Sequence, residues 1–490
     1  VQQASINVGR KDAADKGQKG NALLMATENI TVKGANFNIK GDAVLQAGDK
    51  LNLDTIETQN KEHYVSNADN YYKLDQKQEV GSQLNVTGNF DAIGKSAVEM
   101  RGVSVTSNGT MNVMSEGNIN IQEARYKEQL SSGSKSKSRG LTSSTTEVYR
   151  HKHDYDVAEA SNLDADKINL HSNNGNVTIQ GSNVAAGNGL TVKAKNIDIR
   201  EAENRVYSDD YYSKKKSGML GGGIGVTFGS QKQTLENDQT RLYASGSQVG
   251  SLNNNTTMVA ERAYTQTASI VSAIKGDVNI LAKKADIKAA DDKYETNNKQ
   301  TFQQKGLTIA ITSPIISAIQ AVQGAIESTK QVGDSKHDRV NTMAAANAGF
   351  EAYRAYQSGK KAVTDVKDFM NGEGDVDSLI GVQITYGQQK SESHSHTEGK
   401  TAYKSQVNAG GKVNIMATGA GKDSNILIEG SDVSGKQGTF LSADNQVIVK
   451  AVEQNHKERS TNKSSGFNAG VAIKVSNGAV AGVTFGGNYG

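Results

Sequence analysis

Two histidine pairs, His151-x-His153 and His394-x-His396, are the residues best spaced for chemistry in this 490-residue chain. At strand period each pair sets two imidazoles on one face, where they could share a metal ion. Asp154, Asp156 and Glu392 are candidate third ligands. None completes a recognisable ligand spacing, so exposed hairpin histidines are the plainer reading and no metal site is assigned. Gly223-x-Gly225-x-x-x-Gly229 resembles a phosphate loop only superficially: the spacing is wrong and no helix follows to present an anion site. The Ser/Lys run Ser131–Arg139 could meet phosphates or lipid headgroups, though a solvated strand face is commoner for such a run. Ser, His and Asp all occur, yet no nucleophile elbow does. A polysaccharide-active groove would need Asp, Lys and Arg clustered on neighbouring strands, where this chain scatters Asn, Thr, Lys and Ser. No catalytic residue and no cofactor is assigned, and the chain is read as a non-enzyme.

The elements that carry these residues follow a two-part rhythm. Strands of branched residues run into an exit at Leu51–Asp54, Ile119–Ala124, Ile197–Ala202, Ala285–Ala290 and Val447–Val452. A return signature follows the first four: Ser82-Gln83-Leu84, Ser161-Asn162-Leu163, Ser247-Gln248-Val249 and Ser405-Gln406-Val407. From return to next exit the chain runs 36 to 42 residues, whereas from exit to return it runs 31, 42, 50 and then 120. One spacing is held while the other stretches almost fourfold, so one part is a stacked scaffold and the other hangs from it.

The scaffold strands are short and broken by Gly, Asn and Asp, as in Gly102–Ser107 and Gly117–Ile121. They predict an all-β right-handed parallel β-helix with coils of roughly 18–20 residues. Val103, Val105, Ile119, Ile121, Val177, Ile179, Ile197 and Ile199 are expected to form inward apolar columns, with Asn and Gly taking left-handed backbone angles at the corners. The whole chain, 1–490, reads as a single repeat region. Excursions are expected at 54–81, 122–160, 200–246 and 288–404, with a C-terminal hairpin at 450–490. Within the longest, helical spacing of apolar residues predicts a helical hairpin at about 315–370.

Composition agrees with this division. Hydrophobic residues make up 35% and aromatics 5%, low for a globular enzyme, yet the apolar residues alternate too strictly for disorder. The single proline, Pro314, suits a chain whose backbone donors are needed for ladders. With no cysteine there is no disulfide, thiolate nucleophile or Cys-based zinc site. A net charge of +3 argues for no acidic partner, and no nucleic acid is expected. Val1 opens no charged-then-apolar leader, so any export signal is expected to have been removed or to lie outside the segment.

The later excursions carry apolar residues at strand period and read as arms of protruding antiparallel hairpins. Leu220, Ile224, Val226 and Phe228 are placed on one face of an arm, Leu307, Ile309 and Ile311 on another, and Ile380, Val382 and Ile384 on a third. The tail repeats the pattern through Phe467, Val471 and Ile473, then Val483 and Phe485. These fifteen residues are the candidate membrane- or partner-facing set. Lateral packing of the arms into a sheet is one expectation and membrane insertion another. A spanning strand needs about 9–11 alternating residues, a length that Met219–Gly229 and Gly466–Val475 reach.

Gly20–Thr27 (Gly-Asn-Ala-Leu-Leu-Met-Ala-Thr), Asn118-Ile-Asn-Ile-Gln-Glu-Ala124, Ile197-Asp-Ile-Arg-Glu-Ala-Glu-Asn204 and the Lys-Lys-Ser-Gly…Gly-Ile-Gly-Val-Thr-Phe-Gly arm at 215–229 together carry a family likeness. In these the chain resembles the haemagglutinin repeats of two-partner secreted exoproteins: filamentous haemagglutinin and, more closely, contact-dependent growth inhibition exoproteins of CdiA type. The resemblance covers essentially the whole chain. It implies a β-helical rod on the surface of a Gram-negative bacterium, exported through an outer-membrane secretion partner, with no catalysis in the repeats. It further implies hairpins that engage the target cell's outer membrane and assist toxin delivery, with toxin and receptor-binding regions outside this segment. An adhesin binding a host surface and a β-helix polysaccharide-active enzyme are the alternatives.

Overall fold

A computed structural model describes residues 2–9, 19–140, 143–220, 225–312, 381–474 and 483–489. Short strands with period-2 burial stack into three parallel ladders that share one interior, a β-helix-like coil. In one ladder Asn36 pairs with Gln83, Gln83 with Ser104, and Ser104 with Asn162. In the second, Ala43 pairs with Phe90 and Phe90 with Met111. In the third, Val98 pairs with Ile119, Ile119 with Val177, and Val177 with Ile197. All eight residues expected inside are buried.

Where no excursion intervenes, most partners lie 20 to 22 residues apart, as in Val177 with Ile197, Phe90 with Met111 and Gln248 with Ile270, while Val413 and Thr439 lie 26 apart. The expected 18–20 therefore falls at or below the observed length, because each coil has three faces and three corners. The held interval is two coils: Leu84 stacks under Val105, Met100 under Ile121, and the stretch from Leu84 to Ile121 winds past each face twice.

The corner asparagines do not use left-handed backbone. Among the described residues Ala268 is the one non-glycine with positive φ. Several corner asparagines instead accept a backbone N–H from the next coil: Asn89 Oδ1 from Thr110 at 2.9 Å and Asn255 Oδ1 from Asp277 at 2.9 Å. An amide side chain at a corner thus satisfies a donor that the turn takes out of the ladder.

Among the described residues five hairpins leave the coil. Ile56–Val65 pairs with Tyr71–Val80, Ala124–Arg139 with Ser143–Glu159, and Ala202–Leu220 with Gly225–Ser245. The fourth joins Ala290–Thr312 to Gly381–Tyr403, and the fifth joins Asn455–Lys474 to Val483–Tyr489. Neighbouring hairpins also pair with one another, so all ten strands form one antiparallel sheet in chain order. Neighbouring hairpins thereby cover one another's edges, leaving Ile56–Val65 and Val483–Tyr489 as the edge strands among the described residues.

Among the described residues the only helical turn is the 3-10 turn Gly421–Asp423, and no helix is long and apolar enough to cross a membrane. The helical hairpin expected at 315–370 lies outside the described residues.

Candidate functional site

The return serines sit at the roots of the hairpins. Ser161 is buried; its Oγ donates to the Gln122 carbonyl at 2.6 Å and accepts the Val103 N–H at 3.0 Å. Ser247 does the same with Arg200 O (2.8 Å) and Ser182 N–H (3.1 Å), and Ser405 with Lys288 O (2.7 Å) and Ser269 N–H (3.2 Å). Gln122, Arg200 and Lys288 are the last scaffold residues before their hairpins. Each serine therefore closes the loop from which a hairpin departs, whatever that hairpin's length.

Beside these serines lie the exit glutamates. Glu123 and Glu201 each leave Oε2 buried without a partner. Burial raises both carboxyls above their ordinary value, against the opposing pull of their own backbone N–H groups and nearby arginines.

Further out, the register divides the sheet into zones. Ser143, Gly218, Gly229, Gly306, Gly387 and Asn468 occupy one row across six strands. Gly218, Gly229 and Gly306 have φ of 105°, 152° and 126°, backbone that a side chain would strain.

Beyond this row, toward the hairpin ends, Met219, Phe228, Leu307, Tyr386, Ala469 and Phe485 form one row, and Val226, Ile309, Ile384, Val471 and Val483 another. Ile311, Val382 and Ile473 form a third. In the register these rows alternate with the row of Thr227, Thr308, Thr385, Gly470 and Thr484.

Most of the apolar set expected from the sequence is thus brought together in register. Two placements differ from expectation. Leu220 pairs with Thr227 and Met219 with Phe228, so Leu220 falls in the threonine row and Met219 takes its place beside Phe228. The cause is an antiparallel register that joins even positions of one strand to odd positions of the other. The same pairing means that Met219–Gly229 folds back on itself and cannot run as one spanning strand. Phe467 pairs with Gln388, on the scaffold side of the glycine row. Ile224 and Ile380 lie outside the described residues.

The histidine pairs also differ from expectation. His151 and His153 are not free exposed rings: Asp210 Oδ1 lies 2.6 Å from His151 Nδ1, His151 Nε2 lies 3.0 Å from His153 Nδ1, and His153 Nε2 lies 2.6 Å from Glu128 Oε1. Tyr155 stacks on His153 at 4.2 Å. Glu128 also takes hydrogen bonds from Tyr126 and from Gln76 Nε2. Burial and the adjacent Glu128 carboxylate push the Tyr126 phenol up to about 12.

Asp154 and Asp156 do not join this relay. Asp156 is held by Arg125 at 2.7 Å, and Asp154 lies 3.5 Å from Gln129. His396 meets Asn297 at 2.5 Å, and Glu392 meets Lys299 at 3.7 Å. Among the described residues no group of three or more metal-binding side chains converges.

Sequence reasoning missed the partners of the relay, which come from three hairpins. It also missed the glycine row, though a signal existed. Lys216-Ser-Gly218, Gly229-Ser-Gln-Lys232, Lys305-Gly306 and Gly387-Gln-Gln-Lys390 each set a glycine between a lysine and an apolar alternation.

The "Hemagglutinin repeat" family model matches residues 64–150, 142–301 and 386–490. The chain is similar to "16S rRNA endonuclease CdiA" of Enterobacter cloacae, 32% identical over 356 residues, which are 71% of this chain and 10% of that protein. It is similar to "tRNA nuclease CdiA" of Escherichia coli, 27% identical over 380 residues, 75% of this chain and 11% of that protein. "Deoxyribonuclease CdiA" of Yersinia pseudotuberculosis is 29% identical over 316 residues, 64% of this chain and 28% of that protein. The chain spans about a tenth of the first two relatives. No solved structure matches.

Proposed function

The chain belongs to the hemagglutinin-repeat family as a CdiA-type repeat region, and from that premise we propose that it is a non-catalytic stalk segment whose hairpin ends engage a target cell's envelope and assist toxin delivery. Proteins of this kind are secreted surface exoproteins of Gram-negative bacteria. Export through an outer-membrane secretion partner is part of the proposal, as are a right-handed coil and toxin and receptor-binding regions elsewhere in the parent protein.

The observation that carries this reading is the in-register apolar zone. Five strands contributed by three hairpins set Val226, Ile309, Ile384, Val471 and Val483 in one row, between the Phe228 and Ile311 rows. A contiguous apolar face at the far end of a soluble polar sheet marks a contact surface. Residues Leu307–Thr312 extend about 20 Å at strand rise. That is enough for roughly one leaflet of a hydrocarbon core about 30 Å thick, so the contact reads as embedding in one leaflet.

A non-enzymatic role is supported by the relatives. Proteins named for acting on tRNA, 16S rRNA and DNA all share this stretch, so what distinguishes those activities does not reside in it.

The test is Val226→Asp with Ile309→Asp in the parent exoprotein. Toxin transfer should fall at least tenfold while secretion and receptor binding stay intact. Undiminished transfer would overturn the reading.

A further inference from the structure

On the scaffold side of the glycine row, Lys137, Thr146, Lys215, Lys232, Gln303, Lys390 and Ser465 occupy a single row across seven strands. Directly opposed residues share a face, so the four ammonium groups project together. Along Ala290–Thr312 the apolar positions Leu307, Ile309 and Ile311 follow Gln303 at even spacing toward the hairpin end. The lysine row and the apolar rows are thus successive zones of one sheet, with the row of Arg139, Ser144, Ser217, Ser230, Lys305 and Gln388 between them.

The charge of this row is not balanced within the protein. Lys137, Lys215, Lys232 and Lys390 are all exposed. Among the described residues none of them has a carboxylate within ion-pair distance. By contrast Lys135, one row nearer the scaffold, is paired with Asp69 at 2.8 Å, and Lys299 further in with Glu392 at 3.7 Å. Lys215 and Lys232 face each other directly across adjacent strands. That arrangement is unfavourable for the free sheet and calls for an external counter-charge. The counter-charge must also extend across several strands and lie beside an apolar phase. A leaflet surface with phosphate headgroups has both properties.

We propose that this lysine row is a docking band for phosphate-bearing lipid headgroups, held at the polar boundary of the leaflet in which the apolar rows embed. The proposal rests on the envelope-contact reading and specifies its chemistry: the partner is an anionic lipid surface, and the band sets depth and orientation while the apolar rows supply insertion. Lysine suits this role because its ammonium is a point charge on a long stem that can follow headgroups without fixed geometry.

The test is vesicle flotation of the whole chain with phosphatidylcholine alone and with phosphatidylcholine mixed with phosphatidylglycerol. Wild type should prefer the anionic vesicles, and the preference should shrink as salt is raised. The Lys137→Gln, Lys215→Gln, Lys232→Gln, Lys390→Gln variant should partition into anionic vesicles roughly a thousandfold more weakly at low salt, with unchanged binding to neutral ones. Because all four side chains are exposed, its thermal unfolding should match wild type. Val226→Asp with Ile309→Asp should show the converse pattern, losing neutral-vesicle binding while keeping the salt-sensitive anionic preference.

Equal binding of wild type to both vesicle types would overturn the band and leave the apolar rows standing. Loss of the anionic preference in the aspartate variant, with the lysine variant unaffected, would also overturn it. So would binding of soluble inorganic polyphosphate as tightly as the anionic vesicles.

Discussion

Ser161 and Gln122 stand 39 residues apart in the chain and 2.6 Å apart in space, hydroxyl to carbonyl, with the whole second hairpin between them. That bond, repeated by Ser247 with Arg200 and Ser405 with Lys288, lets hairpins of different length leave one coil without altering it.

Ser161→Ala leaves the Gln122 carbonyl and the Val103 amide without this partner in a buried setting. A loss of about 1–3 kcal/mol is expected, concentrated at the root. Hydrogen exchange read at the Val103 amide should accelerate by about tenfold or more, while amides several coils away stay unchanged. Uniform acceleration along the chain would mean that the serine stabilises the coil as a whole.

Tyr264 and Gln266 replace aliphatic residues in the third ladder, stacked on Ile197 and Ile199. Tyr264 Oη donates to Gln266 Oε1 at 2.8 Å, and Gln266 Nε2 donates to the carbonyls of Ser269 (2.7 Å) and Gln406 (2.9 Å). Gln266→Leu breaks all three bonds and should cost about 2–4 kcal/mol; Tyr264→Phe breaks one and should cost about 1 kcal/mol. Urea unfolding of the two variants checks the order, which a purely apolar core account would reverse.

Three contacts join Asp210, His151, His153 and Glu128 into one relay across two hairpins. Burial works to raise the Glu128 carboxyl, but hydrogen bonds from Tyr126, Gln76 and His153 outweigh it and hold the group below its ordinary 4.5. A carboxyl lowered on folding stabilises above its unfolded pKa, and that stability is lost as pH falls through the folded value. Glu128→Gln should therefore destabilise by about 1–2 kcal/mol at pH 7, and the gap to wild type should close well below pH 4.5. A gap that does not change with pH would mean that the bonds are not charge-assisted.

Glu201 has the opposite sign. Burial raises its carboxyl, so the folded state binds the proton more readily and gains stability as pH falls through the raised value toward 4.5. Glu201→Gln should stabilise the protein at pH 7 by about 1 kcal/mol or less, and the advantage should vanish in acid. Destabilisation at pH 7 would mean that an arginine pairing outweighs burial.

The coil was legible because burial imposes period 2 on most of its strands, and because Leu84 to Ile121 must wind a whole number of coils whatever hangs beside it. The coil length was underestimated because corners show in sequence only as Gly, Asn and Asp, without stating how many residues each turn takes. The apolar zone was legible strand by strand, but its rows were not. Whether Leu220 or Met219 joins Phe228 depends on the parity of the hairpin register, which alternation within one strand does not contain. The relay was illegible for a stronger reason. His153 and Glu128 are 25 residues apart, Asp210 comes from the next hairpin and Gln76 from the previous one, so only lateral pairing assembles them.

Everything proposed for the apolar rows and the lysine band depends on neighbouring hairpins pairing in this register. Thr234 of the third hairpin pairs with Thr301 of the fourth, their hydroxyls in contact. With no native cysteine in the chain, Thr234→Cys with Thr301→Cys is a clean probe, since a disulfide needs Cβ atoms about 3.5–4.5 Å apart. Mild oxidation of the folded protein should close that disulfide nearly completely, while Thr234→Cys with Asn297→Cys, four residues out of register, stays reduced. Failure of the first pair to close, or equal closure of both, would contradict the shared sheet.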